Sequence, residues 1–135
     1  MQTLTEERKL IQEAAREFTL KRVLPLANRL DPEKGSIPRE LIDEMAELGY
    51  FSILIPEEYG GLGLGAYEYC LVAEQLSRGW MSVASLIARG NGLIGALKSL
   101  TPEQKKHYLP RMARGEYLGA FSLSEPNAGS DVANI

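Results

Sequence analysis

Apolar residues recur at intervals of three and four through most of the first 115 positions of the chain. This spacing brings side chains such as Ile11, Ala15 and Phe18 to one face of a helix, and so predicts amphipathic helices. Pro25 interrupts the first pattern, but apolar residues resume after it, which favours a kinked helix over a helix end. The predicted helices comprise residues 3–30, 36–48, 66–78, 81–100 and 101–114.

Residues 50–65 predict an irregular segment, because glycine and proline are costly inside regular elements. The segment contains one proline and four glycines, Pro56, Gly60, Gly61, Gly63 and Gly65. Three more glycines lie inside the fourth predicted helix, where each costs about 1 kcal/mol relative to alanine. We therefore expect close packing around Gly90, Gly92 and Gly95.

The pattern changes after Gly115. Residues 119–124 show the short alternation of apolar and polar positions that is typical of a strand, and residues 125–131 have the composition of a turn. A single strand cannot form a sheet by itself. We predict an all-α, up-and-down bundle of about five helices in residues 1–115, followed by the first strand of a truncated β domain in residues 116–135. The chain is thus expected to be the opening portion of a longer protein.

Composition excludes several classes of function. A hydrophobic content of 44% and a charged content of 24% are ordinary for a globular chain, and the net charge of −3 argues against nucleic-acid binding. One cysteine and one histidine argue against a disulfide framework and a multi-histidine metal site. We find no apolar run long enough to span a membrane and no signal-peptide pattern. The expected location is the cytoplasm, or the mitochondrial matrix if a transit peptide has been removed.

Three single residues have alternative roles. Cys70 is interpreted as a small core residue rather than a nucleophile, since no histidine lies near it in sequence. His107 is interpreted as a surface residue rather than a ligand, since it follows two lysines. Trp80, at a predicted helix junction, is interpreted as a packing anchor rather than a stacking platform.

The segment from Leu123 to Asp131 has the clearest candidate chemistry. Its turn can present successive backbone N–H groups as a nest for an anion, with hydroxyl donors from Ser124 and Ser130. Gly129 permits the backbone to approach a ligand closely. The alternative is a plain solvent-facing turn in which Asp131 caps the backbone.

This segment resembles the N-terminal signature of the flavin-dependent acyl-CoA dehydrogenases. That signature runs from a small residue, an aliphatic residue, Ser or Thr, and Glu into a Gly-Ser/Thr-Asp turn. Ser122 and Asn134 depart from the residues that are usual in the family. The resemblance extends in order over essentially the whole chain, through residues 40–50, 55–63, 104–106, 108–110, 115–116, 123–125 and 129–131.

The resemblance implies a bound FAD and an acyl-CoA substrate. The backbone amides of Leu123 and Ser124, with the Ser124 hydroxyl, would face the pyrimidine edge of the flavin, where reduction places negative charge. Ser130 would reach a phosphate or the acyl-CoA. The implied cofactor-binding residues are Phe121, Ser122, Leu123, Ser124, Gly129 and Ser130, and Ser130 is also the implied substrate-binding residue.

The resemblance also implies that no catalytic residue lies in this chain. The family's base is a carboxylate of the C-terminal helical domain, so Glu125 is rejected for that role and the base is expected beyond Ile135. The parent enzyme, of fatty acid metabolism, would form a homotetramer and pass electrons to an electron-transfer flavoprotein. The isolated chain is expected to be inactive and to retain FAD weakly or not at all.

Several alternatives remain open from the sequence. The parent could be an acyl-CoA oxidase or a nitroalkane oxidase-like relative, or the chain could be a stand-alone helical binding module without flavin. Tyr59 and the glycine segment could line an acyl or pantetheine path, or could be packed for their own turns. The helix from Val83 to Leu97 could border an acyl chain, although core packing explains its apolar stripe equally well.

Overall fold

The computed structural model describes residues 4–92, 99–120 and 122–134. A helical turn of the 3-10 type forms at Glu57–Tyr59 and another at Val132–Asn134. None of the described helices is both long and apolar enough to cross a membrane. The predicted all-α bundle is confirmed, with helices α1 (Glu6–Phe18), α2 (Leu24–Leu30), α3 (Arg39–Glu47), α4 (Ala66–Gly79), α5 (Met81–Gly92) and α6 (Pro102–Ala113).

Helices α1 and α2 form one continuous helical run, joined by a π-helical turn at Thr19–Val23. The Leu24 N–H donates to the carbonyl oxygen of Thr19, five residues earlier. Pro25 has no N–H, and in an α-helix its ring would press on the carbonyl of Lys21. The wider turn directly before Pro25 accommodates this ring, so the predicted helix continues and its expected irregularity is a π turn.

The helix ends follow from local sequence. The Thr5 hydroxyl accepts a hydrogen bond from the Arg8 N–H at 3.3 Å and so caps the start of α1. At the start of α6, Thr101 and Gln104 cap each other's backbone N–H groups at 3.3 and 2.9 Å. Gly115 ends α6 with a φ of 67°, in the left-handed region that favours glycine.

The core forms where α1 packs against α4 and α4 packs against α5. A second, smaller cluster joins Ile55 to Leu109 and Ala113 of α6. The irregular segment contributes to both clusters, since Phe51, Ile53 and Ile55 are at most 2% exposed. The predicted irregular segment is thus part of the core rather than a surface connection. The main cluster includes Ala15, Val23, Leu41, Met45, Phe51, Ile53, Leu76, Val83 and Ile87.

Asn91 satisfies the backbone of this buried irregular segment. The residue is 1% exposed, and its Oδ1 accepts a hydrogen bond from the Leu54 N–H at 3.1 Å. Its Nδ2 donates to the carbonyl oxygens of Tyr50 and Ile87, each at 3.0 Å. A buried chain that lacks regular hydrogen bonding needs such partners, and an asparagine supplies both a donor and an acceptor. No pattern in the sequence indicates this role.

Two of the three single residues lie where the sequence predicted. Trp80 is 6% exposed and its Nε1 donates to Asp31 Oδ1 at 2.9 Å, so it is a packing anchor. His107 lies at the surface beside Arg111. The interpretation of Cys70 as a core residue is wrong, because its side chain is exposed. Cys70 precedes the buried Val72 by two positions, about 200° around the axis of α4, and so lies on the opposite face.

Close packing occurs at other glycines than those expected. Within the described residues, a Cβ on Gly90 would meet only Phe51 Cδ1, at 3.9 Å, and one on Gly92 would meet nothing within 4 Å. Gly95 lies outside the described residues. By contrast, a Cβ on Gly79 would lie 2.5 Å from Thr19 Cγ2, and one on Gly61 would lie 2.0 Å from the Ile55 carbonyl oxygen. The tight contacts are therefore at the end of α4 and in the irregular segment.

The predicted strand at residues 119–124 is not formed in the described part of this segment. A strand needs a second chain segment alongside it for ladder hydrogen bonds. In the described structure, residues 122–124 have no such segment beside them. An isolated antiparallel bridge between Glu125 and Ala128 is present immediately afterwards.

Candidate functional site

The candidate site begins where the chain leaves α6, and α3 fixes that point. Arg39 Nη2 donates to the Gly115 carbonyl oxygen at 3.2 Å. Gly115 also lies close to α3, since a Cβ added there would be 3.0 Å from Ala46 Cβ. The start of residues 116–134 is therefore held by α3 as well as by α6.

Arginines concentrate around the same point. Arg114 Nε donates to Glu116 Oε1 at 2.7 Å, and this hydrogen bond lowers the pKa of the Glu116 carboxyl, with smaller contributions from the charges of Arg111 and Arg39. Arg111 Nη1 donates to the Tyr117 hydroxyl at 2.6 Å. The first residues after α6 are thus held by directed hydrogen bonds to charged groups.

The next feature is a closed turn at Glu125–Ala128. The Glu125 N–H donates to the Ala128 carbonyl oxygen at 2.8 Å, and the Ala128 N–H donates to the Glu125 carbonyl oxygen at 3.2 Å. Pro126 occupies the second position of the turn, where its fixed φ is favourable. Ala128 is 5% exposed, whereas the described residues on either side of it are exposed.

The predicted cofactor-binding residues that the structure describes are at the surface. Ser122, Leu123, Ser124, Gly129 and Ser130 are all exposed, and a Cβ on Gly129 would meet nothing within 4 Å. Phe121 lies outside the described residues. Within the described part of the chain, no hydrogen bond occupies the N–H of Leu123 or Ser124, or the hydroxyl of Ser124 or Ser130. These groups can donate to a ligand that carries negative charge.

The described turn contains no left-handed residue. Successive N–H groups form an anion nest either where right-handed and left-handed residues alternate or in a turn conformation. Among the described residues, a positive φ occurs at Lys34, Gly49, Gly60, Gly63 and Gly115, all before the turn. Asp131 also caps no backbone group there. The available donors are the backbone N–H groups before the turn and the hydroxyls of Ser124 and Ser130, so anion binding at this segment stays a prediction.

The glycine segment is packed for its own turns in the described structure. The N–H groups of Leu62 and Gly63 donate to the carbonyl oxygens of Ser52 and Ile55, each at 2.9 Å. Tyr59 is half-buried against the cluster of Ile55 and Leu109. Val83 and Ile87 of α5 lie in the main core. Residues 93–98, which were predicted to continue this helix, lie outside the described residues.

The described residues contain no group of three His, Cys, Asp or Glu side chains arranged to hold a metal ion. The chemistry available at residues 122–130 is therefore hydrogen-bond donation by backbone and hydroxyl groups. The sequence motif indicates these donors. No sequence pattern indicates Arg39, because nothing in a surface arginine of α3 signals a contact with Gly115.

The chain matches a known family over most of its length. A family model described as "Acyl-CoA dehydrogenase, N-terminal domain" matches residues 5–116. The chain is 38% identical over 133 residues to the 3-(aryl)acrylate reductase of Clostridium sporogenes, in a match that covers 97% of this chain and 35% of that protein. The chain thus spans about a third of the length of this curated relative.

Solved structures give the same family. The glutaryl-coenzyme A dehydrogenase glutaryl-CoA complex matches with a TM-score of 0.89 and 32% identity, covering 100% of this chain and 35% of that one. An acyl-CoA dehydrogenase complexed with FAD from Bacillus anthracis matches with a TM-score of 0.83 and 35% identity, covering 96% of this chain and 22% of that one. The chain belongs to the acyl-CoA dehydrogenase family of flavoprotein oxidoreductases and contains the helical N-terminal domain of that family.

Proposed function

We propose that this chain supplies the helical domain and a flavin-contacting segment of an enzyme that oxidises an acyl-CoA to a trans-2-enoyl-CoA. The observation that carries the proposal is the set of exposed donors at Leu123 and Ser124, in a segment with the family's signature. FAD, when bound, accepts the hydride from the β carbon of the substrate. We propose that the base that removes the α proton lies outside residues 1–135.

The donor set fits such a cofactor. Reduction places negative charge on the flavin ring, and fixed N–H and O–H donors stabilise that charge without reorganising. Leu123 and Ser124 would contribute two backbone donors, and the Ser124 hydroxyl a third. Ser122 and Gly129 would border the same site. Phe121 completes the proposed set, and Ser130 would hold a phosphate group or the acyl-CoA.

The rest of the proposal concerns the parent protein. We propose that residues 1–115 form the helical domain and that residues 116–135 begin the β domain. The parent would be a homotetramer that passes electrons to an electron-transfer flavoprotein, in the cytoplasm or the mitochondrial matrix. Residues 1–135 by themselves would not turn over an acyl-CoA. Turnover of an acyl-CoA by this purified chain with an electron acceptor would refute this.

The reverse direction is a second candidate. It is favoured by the 3-(aryl)acrylate reductase of Clostridium sporogenes, which matches nearly the whole chain and is named for a reduction. In that case the same donors would stabilise the reduced flavin as the hydride donor. Two reactions distinguish the directions: the parent with oxidised flavin is mixed with an acyl-CoA, and the parent with its flavin first reduced by dithionite is mixed with the enoyl-CoA. The faster change of flavin absorbance identifies the favoured direction.

A hybrid protein tests the flavin contact. Residues 1–134 of this chain replace the corresponding third of glutaryl-CoA dehydrogenase, and bound FAD and its reduction by glutaryl-CoA are followed by absorbance. We expect Ser124→Ala to slow flavin reduction by about tenfold, because one donor to the developing charge is lost. Ser36→Ala, an exposed serine before α3, is the matched control.

The proposal fails if the folded hybrid holds no FAD, or if Ser124→Ala and Ser36→Ala reduce the flavin at the same rate. A titration of the printed chain with FAD, followed by amide NMR, gives an independent readout. Weak chemical-shift changes confined to residues 122–130 support the contact. Changes spread over the helices contradict it.

A further inference from the structure

Arg111 of α6 holds Tyr117 through both its backbone and its side chain. The Arg111 carbonyl oxygen accepts hydrogen bonds from the Glu116 N–H at 3.0 Å and from the Tyr117 N–H at 3.3 Å. Arg111 Nη1 donates to the Tyr117 hydroxyl at 2.6 Å, and the guanidinium carbon lies 5.4 Å from the centre of the Tyr117 ring. A guanidinium at this distance is attracted to the face of an aromatic ring. Three kinds of contact therefore join one arginine to one tyrosine.

The Tyr117 ring also contacts a ring of α6. Its centre lies 6.3 Å from the centre of the Tyr108 ring, and the Tyr108 ring meets the edge of His107 with centres 4.8 Å apart. Aromatic rings at such separations attract each other. The Tyr117 side chain is therefore folded back onto the helix that precedes it.

These side chains lie at the surface rather than in a hydrophobic core. Tyr108 and Tyr117 are 44% and 40% exposed. Exposed contacts to charged side chains contribute little to the stability of a fold. What the contacts do determine is the path of the chain, because they hold both the backbone and the side chain of Tyr117.

Tyr117 is the last residue held in this way before the flavin-contacting segment. Within the described residues 118–120 and 122–124, no hydrogen bond connects the segment to the rest of the protein. The next buried residue in the described part of the chain is Ala128. Six residues of chain span at most about 20 Å. The direction in which the chain leaves Tyr117 thus limits where the N–H groups of Leu123 and Ser124 can lie.

We propose that Arg111 is a positioning residue for the flavin contact, and that it acts through Tyr117. This role rests on the proposed function, because it concerns the donors at Leu123 and Ser124. Such donors stabilise developing charge only at hydrogen-bond distance, and a displacement of about 1 Å can slow a reaction by up to about a hundredfold. Arg111 itself touches neither the flavin nor the substrate.

Distances between spin labels test the contact without flavin. One label is placed on Cys70, the only cysteine of the sequence, which is exposed on α4, and a second on Ser122→Cys. Pulsed EPR then measures how narrowly the segment is held relative to the helices. We expect Arg111→Gln to broaden the distance distribution by at least about twofold, because local opening becomes easier when the contact is lost. Lys106→Gln removes a positive charge from an exposed position of α6 and should leave the distribution unchanged.

Two further variants separate geometry from charge. Tyr117→Phe removes only the hydroxyl acceptor and keeps the ring, so it should broaden the distribution less than Arg111→Gln does. In the Arg111→Gln background it should add nothing, because the donor to that hydroxyl is already gone. Arg111→Lys keeps the charge and one donor nitrogen, and should restore part of the narrow distribution. Additive broadening by Arg111→Gln and Tyr117→Phe would overturn the claim that Arg111 acts through Tyr117.

The hybrid with glutaryl-CoA dehydrogenase tests the consequence for the flavin. Arg111→Gln should slow flavin reduction at saturating glutaryl-CoA by at least about threefold, because the donors are less well placed. The affinity for glutaryl-CoA should stay the same, since only the step after binding is affected. A residue that only stabilised the fold would lower the thermal midpoint and leave the rate of the folded hybrid unchanged.

Two results overturn the assignment. The first is an unchanged distance distribution in the Arg111→Gln chain. The second is an equal rate of flavin reduction in the Arg111→Gln and Lys106→Gln hybrids. Absence of FAD from the folded hybrid would contradict the proposed function instead, and the spin-label distances would still decide whether Arg111 holds the segment.

Discussion

The side chain of Asn91 joins α5 to Tyr50, with its Nδ2 atom 3.0 Å from the Tyr50 carbonyl oxygen. The same side chain accepts from the Leu54 N–H, so one residue determines how the irregular segment sits on the helices. A single side chain thereby takes over hydrogen bonding that a regular element would perform through its own backbone.

Replacement of Asn91 by alanine should lower the free energy of unfolding by about 3 kcal/mol, because several buried backbone groups lose their partner at once. Urea denaturation measures the change. Asn28→Ala, at an exposed position of α2, is the matched control and should alter stability by less than about 0.5 kcal/mol. Equal stability of the two variants would show that water replaces the Asn91 amide at no cost.

Tyr50 should make stability depend on alkaline pH. Burial raises the pKa of its hydroxyl to about 12, whereas the unfolded chain titrates near the ordinary value of 10.0. The folded state therefore holds this proton more tightly than the unfolded chain does. The resulting contribution to the free energy of unfolding is fully present below pH 10 and is lost as the pH rises from about 10 to 12. The shift corresponds to about 3 kcal/mol over this window.

Tyr50→Phe isolates this effect. The variant should lack the alkaline loss that the unmodified chain shows relative to it, and at neutral pH it should be more stable by about 1 kcal/mol, because the Tyr50 hydroxyl has no partner among the described residues. Tyr67→Phe, at an exposed tyrosine of α4, is the control. A Tyr50→Phe variant with the same pH profile as the unmodified chain would contradict the assignment.

Gly79 and Gly90 should respond oppositely to alanine. A methyl group at Gly79 would be 2.5 Å from Thr19 Cγ2 and 3.3 Å from Val23 Cγ1, so Gly79→Ala should destabilise by about 2 kcal/mol. A methyl group at Gly90 would make only an ordinary van der Waals contact, with Phe51 Cδ1. Gly90→Ala should therefore raise the free energy of unfolding by up to about 1 kcal/mol through helix propensity. Thermal denaturation compares them. A stabilising Gly79→Ala would show that the helices separate freely at this point.

Arg39→Met should loosen residues 116–134 without unfolding the helices. The substitution removes the hydrogen bond to the Gly115 carbonyl oxygen, so limited proteolysis after α6 should become several-fold faster while helical circular dichroism is preserved. Arg39 also contacts Asp43 at 2.8 Å, and Asp43→Asn controls for that ion pair. Comparable proteolysis of both variants would assign the effect to Asp43 instead.

The sequence predicted the helices well, because each buries an apolar stripe and most begin or end at a recognisable residue. Thr101 and Gly115 mark the two ends of α6 in this way. The predicted strand did not form in the described residues, since period and composition carry no information about a pairing partner. Cys70 was assigned wrongly because residue type alone does not say which face of a helix is buried.

The candidate site was predictable as a stretch of sequence but not as a geometry. The motif around Ser124 and Ser130 identified the donors, whereas the closed turn at Glu125–Ala128 depends on backbone hydrogen bonds. The contact from Arg39 to Gly115 joins positions 76 residues apart and has no local signal. Thr19 likewise lies at the start of the π turn that precedes Pro25, and its methyl group lies against Gly79 of α4, a contact with no local signal.

The π turn also determines which way the second half of the first helical run points. Each α-helical residue advances the chain by about 100° around the axis, and the hydrogen bond from Leu24 to Thr19 encloses one residue more than an α-helical turn. Side chains after the turn are thus rotated by about 100° relative to the pattern of α1. This rotation brings Ala27 and Leu30 to the same core that buries Ala15 and Val23, and deletion of one residue from the turn would rotate Ala27 and Leu30 out of register with that core.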